Sequence, residues 1–345
     1  MSNIKFDIVV DNKPNSLPSA EEIIQQCRTH ALANAANSTS YKRGVSLVDE
    51  SKDGAPYAWV KYGRSITMAE ARTQHYVAQV VNGDDDAAVV RVPYVYLSFE
   101  SHGRGYIVME FIDGVICSDA DAKLVAAAVQ FLATIRGPTT QPGPIGGGPI
   151  CHDFFIERES SLTYSSVGLL EKHINGILKH EGRPHRVSLG PEVEEYGLRL
   201  CLSDMNRDNF IKDRKNKIVA LDFGASCFLP VSFFDFALRH FDYFTQLLRM
   251  RIPRPKSKQL EALLVASFSL VPYGTNKIAH RCPTRAQGSG PVDFAHKPSR
   301  LSTGPRLLRV IVRRCELSRC LLSRSSLPTP SHTVRARRFS DIYMP

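Results

Sequence analysis

Apolar runs and polar breaks along the chain predict strands in the first third and helices afterwards. Ser19-Ala20-Glu21-Glu22 reads as a capping box that opens a helix through His30. Tyr57-Ala58-Trp59-Val60-Lys61-Tyr62 is aromatic and β-branched, a strand with a cation in its interior. Met68 to Ala78 carries Met68, the Arg72 stem, Tyr76 and Val77 on roughly one face, which predicts a helix. A hairpin turn falls at His102-Gly103-Arg104, and the apolar run from Gly105 ends in a turn at Gly114. Ser118 then caps a helix over residues 119–136, stopped by Gly137-Pro138. The stretch Pro142 to Pro149 cannot hold regular structure and reads as a flexible insert or a plain linker. Glu171 to Glu181 belongs to a further helix, Pro184 to Tyr196 to a connecting loop, and Phe233 to Met250 to one more helix.

Between Leu200 and Leu229 the pattern shortens to strand, polar loop, strand, turn, strand. Asp204, Asn209 five positions on, and Asp222 of the triplet Asp222-Phe223-Gly224 each fall at a strand end. An Asp-Phe-Gly triplet arises by chance in roughly one chain in twenty of this length. Its place behind the apolar run Ile218-Val219-Ala220-Leu221, shortly after the Asn, is what gives it weight. Phosphoryl transfer requires a carboxylate to accept a hydroxyl proton, with an amide and a second carboxylate to hold Mg²⁺ against nucleotide phosphates. The bland alternative is a polar β-turn followed by an Asp-initiated turn, both solvated.

Lys61 needs a counter-charge or water at its tip, because a lone buried ammonium is very costly. Glu70, nine residues on in the predicted helix, is the candidate partner. The alternative puts Lys61 on an edge strand and Glu70 on a solvated helix face. Asp235, near the start of its predicted helix, either braces the Asp204 loop from below or is an ordinary helix-start carboxylate favoured by the macrodipole.

Val60-Lys61-Tyr62-Gly63, Met109-Glu110-Phe111-Ile112-Asp113-Gly114, Leu200 through Phe210, and Ile218 to Gly224 with Cys227-Phe228-Leu229-Pro230 carry a family resemblance. Over roughly residues 20–278 the chain resembles the aminoglycoside phosphotransferase and choline kinase branch of the protein-kinase-like fold, in its fungal form. The resemblance implies an α+β, two-lobed fold with a small antiparallel β-rich N-lobe and a larger, mainly helical C-lobe. It implies Asp204 as catalytic base, Asn209 and Asp222 as Mg²⁺ ligands, and Lys61, held by Glu70, on the phosphates of ATP. Backbone groups around Glu110 and Ile112 would bind adenine. Two departures stand out. Leu202 occupies the place of a His that usually scaffolds the loop, and Ser38 to Val48 holds a single glycine, Gly44, where a glycine-rich phosphate loop is expected. A short turn through Pro230, with no long activation segment, points to a small-molecule kinase and away from a protein kinase.

Composition divides the chain. Of its 345 residues, 43% are hydrophobic, enough for a two-lobed core. No cationic-then-apolar leader opens it and no apolar run spans a bilayer, so a cytoplasmic protein without membrane contact is expected. The eight cysteines show no metal spacing, and Cys201 and Cys227 read as core residues in place of nucleophiles. The net charge of +10 lies entirely in residues 279–345, where 13 basic residues meet 3 acidic ones. The expected organisation is a loose N-terminus (1–18), an ATP-binding N-lobe (19–112), a catalytic C-lobe (113–278) and this Arg/Ser/Pro-rich tail. The tail is expected to be disordered, as a frame-shifted or intron-derived reading of the gene or as a basic arm. Three functions follow: an ATP- and Mg²⁺-dependent phosphotransferase acting on a hydroxyl of a small molecule, a catalytically impaired binding protein of the same fold, and a nucleic-acid binder acting through the tail.

Overall fold

The computed structural model describes residues 4–10, 14, 17–34, 44–49, 54–83, 89–253 and 257–279, all within one compact unit. Its β-rich part comprises β1 (Ile4–Val9), α1 (Ala20–Asn34), β2 (Gly44–Asp49), β3 (Ala55–Gly63), α2 (Met68–Val81), a short β4 (Val90–Arg91), β5 (Val95–Ser101) and β6 (Arg104–Glu110). Five of these strands form an antiparallel sheet in the order β1-β5-β6-β3-β2. Residues 4–9, expected to be loose, are instead its edge strand. The apolar run Ile4-Lys5-Phe6-Asp7-Ile8-Val9 pairs with the otherwise free side of β5, and Ile8 donates its N–H to Ser98 Oγ at 3.2 Å.

The alternation along β3 decides where Lys61 points. Ala58, Val60 and Tyr62 bury against α1 residues such as Ile23 and Cys27, while Trp59 packs with Ile66, Ala71, Val95, Ile107 and Met109 on the other face. Successive side chains of a strand take opposite faces, so Lys61 shares the Trp59 side, which is covered by α2. The β5–β6 hairpin turns at His102 and Gly103 with φ of 50° and 68°, the left-handed pair that matches strand twist. The predicted capping box is present at α1: Glu22 N–H reaches Ser19 Oγ at 3.3 Å and Ser19 N–H reaches Glu22 Oε2 at 2.8 Å.

The second part contains β7 (Gly114–Ile116), α3 (Ala122–Leu132), α4 (Val167–His180), α5 (Gly190–Tyr196), β8 (Arg199–Leu202), β9 (Phe210–Asp213), β10 (Ile218–Ala220), β11 (Ser226–Leu229), α6 (Val231–Ala237), α7 (Tyr243–Arg251) and α8 (Leu260–Leu270). Strands order as β4-β10-β9-β7 in one small sheet and β11-β8 in another. Phe154, Phe155, Phe210, Phe223 and Phe233 are fully buried here, each contributing roughly 1.5–3 kcal/mol of burial. The architecture is the α+β one expected, a β-rich lobe holding α2 followed by a mainly helical one.

Several boundaries differ from expectation for local reasons. The helix foreseen over 119–136 ends at Leu132, because Thr134 and Ile135 turn back through bonds to Phe131 and Leu132 carbonyls and free Ile135 O for Leu200 N–H. The loop 184–196 contains α5, which starts with Pro191 in its first turn. The helix foreseen over 233–250 breaks into α6 and α7, with Asp242 capping Thr245 N–H at 2.9 Å. The buried face of α2 is Met68, Ala71, Val77, Ala78 and Val81 with Glu70, Thr73 and Gln74, whereas Arg72 and Tyr76 are half-buried beside it. Of the predicted basic tail, only Ala279 falls within the described residues; it packs with Ile278 against the helical core. Among the described residues, no helix is long and apolar enough to cross a membrane.

Candidate active site

Lys61 Nζ sits between two carboxylates from distant parts of the chain. It contacts Glu70 Oε1 of α2 and, at 2.8 Å, Asp222 Oδ1 of the Asp-Phe-Gly turn. Burial pulls the Lys61 ammonium toward losing its proton, but the charges of Glu70 and Asp222 more than offset this and raise its pKa. Burial pushes the Glu70 carboxyl up, against the opposing pull of Lys61. Glu70 occupies its place because Thr67 caps α2 through Glu70 N–H at 3.1 Å. Gly224 lets that carboxylate come close: a Cβ there would stand 3.1 Å from Glu70 Oε2 and 3.2 Å from Asp222 Oδ1. Asp222 itself is left-handed, with φ 56° and ψ 77°, and its Oδ1 accepts from Gly224 N–H at 3.2 Å. Strain of this kind in a non-glycine residue costs about 1–3 kcal/mol and clusters at functional sites.

The loop from Asp204 to Asn209 is tied to that turn on both sides. Ser203 N–H donates to Ala225 O at 2.9 Å, and Leu221 N–H donates to Asn209 O at 2.8 Å. Asn209 Nδ2 donates to Asp204 O at 2.9 Å, which fixes its amide and leaves Oδ1 as the ligand-capable atom. Sequence reasoning named Asp204, Asn209, Asp222, Lys61 and Glu70, and the chain brings Lys61, Glu70 and Asp222 into direct contact while binding Asn209 to Asp204. Glu110 closes β6, where its side chain pairs with Arg91 at 2.9 Å and its N–H is spent on Tyr94 O at 2.9 Å. Ile112 follows, half-buried, before β7. Of Ser38 to Val48, where the phosphate loop is expected, residues 38–43 lie outside the described residues and the rest is strand β2, which Gly44 opens opposite Lys61. Asp235 does not need the Asp204 loop to account for its burial: its Oδ2 accepts Ser257 N–H at 2.7 Å.

A second group beside Asp204 was not foreseen. Arg158 Nε meets Asp153 Oδ1 at 2.7 Å and Arg158 Nη1 stands 3.6 Å from Asp204 Oδ2, with His240 Nε2 3.8 Å from Asp153 Oδ2. Their loop doubles back through His152 N–H to Arg158 O at 2.9 Å, with Glu157 and Arg158 both left-handed at φ 58° and 64°. The one signal in the sequence was a set of polar residues, His152, Asp153, Glu157 and Arg158, wrapped around Phe154-Phe155-Ile156. The nearby thiols are not nucleophiles. Cys201 and Cys227 face each other across β8 and β11, burial pushes Cys151 up to about 11, and burial also holds Cys227 well above its ordinary value.

Among the described residues, no group of three His, Cys, Asp or Glu side chains is placed to hold a metal ion. Mg²⁺ needs less than that, since it takes one or two protein oxygens plus substrate phosphates and water. Asp222, with its side chain about half exposed, and Asn209 Oδ1 fit that requirement.

No protein-family profile and no curated protein matches the chain. Solved structures do resemble it. A candidate fructosamine-3-kinase from Haemophilus somnus superposes with a TM-score of 0.41 at 17% identity, covering 71% of this chain and 88% of that one. Choline kinase LicA from Streptococcus pneumoniae gives 0.41 at 11% identity, covering 85% and 98%. An aminoglycoside phosphotransferase from Streptomyces rimosus, in complex with ADP and streptomycin, gives 0.35 at 14% identity, covering 70% and 97%. The likeness to these solved structures assigns no role to any residue here.

Proposed function

We propose that this chain is an ATP- and Mg²⁺-dependent phosphotransferase that acts on a hydroxyl of a small molecule. The observation that carries the reading is Lys61, drawn from a strand and held jointly by the α2 carboxylate of Glu70 and by Asp222. An ammonium so placed is preorganised to meet nucleotide phosphates, with Glu70 keeping it in position. The lobe built on the five-stranded sheet, its edge strand β1 included, would bind nucleotide and residues 113–278 would form the catalytic lobe, with backbone groups near Glu110 and Ile112 at the adenine. Mg²⁺ on Asp222 and Asn209 would supply charge neutralisation at the phosphates. Asp204 would take the proton of the acceptor hydroxyl as its oxygen forms a bond to the γ-phosphorus. The bond from that phosphorus to the bridging oxygen breaks, and the electron pair leaves with ADP.

The impaired-protein reading draws on Leu202, a buried apolar side chain where a scaffolding His is usual. The loop is nonetheless anchored by other means, through Ser203 N–H to Ala225 O and Ser203 Oγ to Cys151 O at 3.3 Å. The nucleic-acid reading depends on a tail outside the described residues. Thermal shift by ATP with and without Mg²⁺ tests the proposal. Asp222→Ala should abolish the Mg²⁺-dependent part of the shift, and an undiminished shift in that variant removes Asp222 from the metal site.

A further inference from the structure

The Asp153–Arg158 pair meets Asp204 through its guanidinium, 3.6 Å from Asp204 Oδ2. The loop carrying it is bolted to the helical lobe: Ser267 Oγ donates to Phe154 O at 2.7 Å, Ile156 N–H to Asn276 Oδ1 at 2.7 Å, and Asn276 Nδ2 to Ile156 O at 3.0 Å. Phe154 and Phe155 are fully buried beneath it. This anchored backbone fixes where Arg158 leaves the loop, and its ion pairs with Asp153 and Asp204 aim the guanidinium.

The two charges of the pair are not equally available. Asp153 has 15% of its side chain exposed, Oδ1 on Arg158 and Oδ2 closed to solvent, whereas Arg158 is 48% exposed and Asp204 40%. The acidic partner is thus turned inward and the guanidinium outward. His240 lies on the Asp153 side, its Nε2 3.8 Å from Asp153 Oδ2. A hydroxyl hydrogen-bonded to Asp204 would have the Arg158 N–H donors within reach of its neighbouring atoms. Guanidinium offers five donors in a planar fork and no acceptor, so it matches carboxylate or hydroxyl oxygens and repels ammonium groups.

We infer that Arg158 is the specificity-determining residue of the acceptor site, and that the acceptor is a polyol or hydroxy acid with an oxygen vicinal to the reacting hydroxyl. The inference rests on the phosphotransferase reading and narrows it, setting the chain apart from kinases of amine-bearing acceptors. Asp153 serves as a positioning residue that aims the guanidinium.

The test uses the full chain with labelled ATP and Mg²⁺ against two acceptor sets: glycerol, ribitol and glycerate in one, choline and kanamycin in the other. Label transfer to the best oxygen-only acceptor should exceed transfer to either amine by at least tenfold. Arg158→Gln should raise KM for that acceptor by roughly ten- to a hundredfold, the range for losing a hydrogen bond to a charged group. The thermal shift by Mg²⁺-ATP should stay unchanged in it. Arg158→Lys, which keeps the charge without the fork, should recover part of the loss and covers the case in which the Gln variant does not fold. Faster transfer to amines overturns the inference, as does selectivity that survives loss of Arg158. So does transfer to neither set while Asp204-dependent ATP hydrolysis persists. Failure of the wild-type chain to bind Mg²⁺-ATP, or equal turnover by Asp204→Asn, would instead sink the phosphotransferase reading itself.

Discussion

His152 shows how one residue of the loop beside Asp204 answers to pH. Its ring is fully buried, Nδ1 accepts Phe154 N–H at 2.9 Å, and Nε2 meets Phe233 O at 3.0 Å. Only the neutral ring with its proton on Nε2 satisfies both bonds. Desolvation, the largest cause, lowers its pKa to about 4 from 6.5. Between those values the unfolded chain binds a proton that the folded one refuses, so stability is complete above pH 6.5 and is lost as pH falls toward 4. About 2 kcal/mol should disappear between pH 7 and pH 5 by linkage. Chemical denaturation of the native chain and of His152→Gln at both pH values measures it. The substitution should shrink the pH-dependent loss by that amount, and an unchanged slope would show that this ring does not titrate on unfolding. Nothing in the sequence marked His152 as buried. The candidates visible there were those whose chemistry fixes their spacing, whereas a core His depends on which carbonyl and which N–H the fold happens to bring to it.

At the scale of elements, the Gly/Pro stretch from Pro142 to Pro149 is a docked strap, not the insert or linker foreseen. Gly143 exchanges both backbone bonds with Phe228 of β11, at 3.0 and 2.8 Å, and Ile145 N–H reaches Thr73 Oγ1 of α2 at 3.1 Å. Arg72 of α2 lies against Gly146 and also pairs with Asp7 of β1. The strap thus joins the helix that carries Glu70 to the strand that follows Asp222. Gly146 has φ of +85°, and a Cβ there would stand 2.1 Å from Arg72 Nη1. Gly146→Val should therefore cost about 1–3 kcal/mol and raise amide hydrogen exchange in Arg72–Ala78 as well as in the strap. Exchange that rises in the strap alone would mean that it does not hold α2. The sequence disclosed only that this stretch could not be helix or strand. Where it docks depends on the φ > 0 conformations of Gly143, Gly146, Gly147 and Gly148, which no periodicity encodes. Period-based reading did better where side chains alternate against a core, as in β3 and β6, and worse where one turn interrupts a helical run, as between α6 and α7.

At the scale of the molecule, the fold serves to bring three distant stretches of chain to one place: β3 with Lys61, α2 with Glu70, and the β8–β11 block with Asp204, Asn209 and Asp222. Asp204, Asn209 and Asp222 were legible because each falls at a strand end, and Lys61 and Glu70 because a cation inside an apolar strand needs a counter-charge. The Arg158 group was not, because it reaches Asp204 only through packing of Phe154 and Phe155. The central claim is that Asp204 receives the acceptor proton, and the direct measurement is label transfer from ATP by Asp204→Asn beside the native chain, with ATP affinity measured in parallel. Asn keeps the shape and removes the proton acceptor, so transfer should fall by roughly 10²–10⁴-fold while ATP affinity changes little. Transfer at the native rate in that variant would contradict the account.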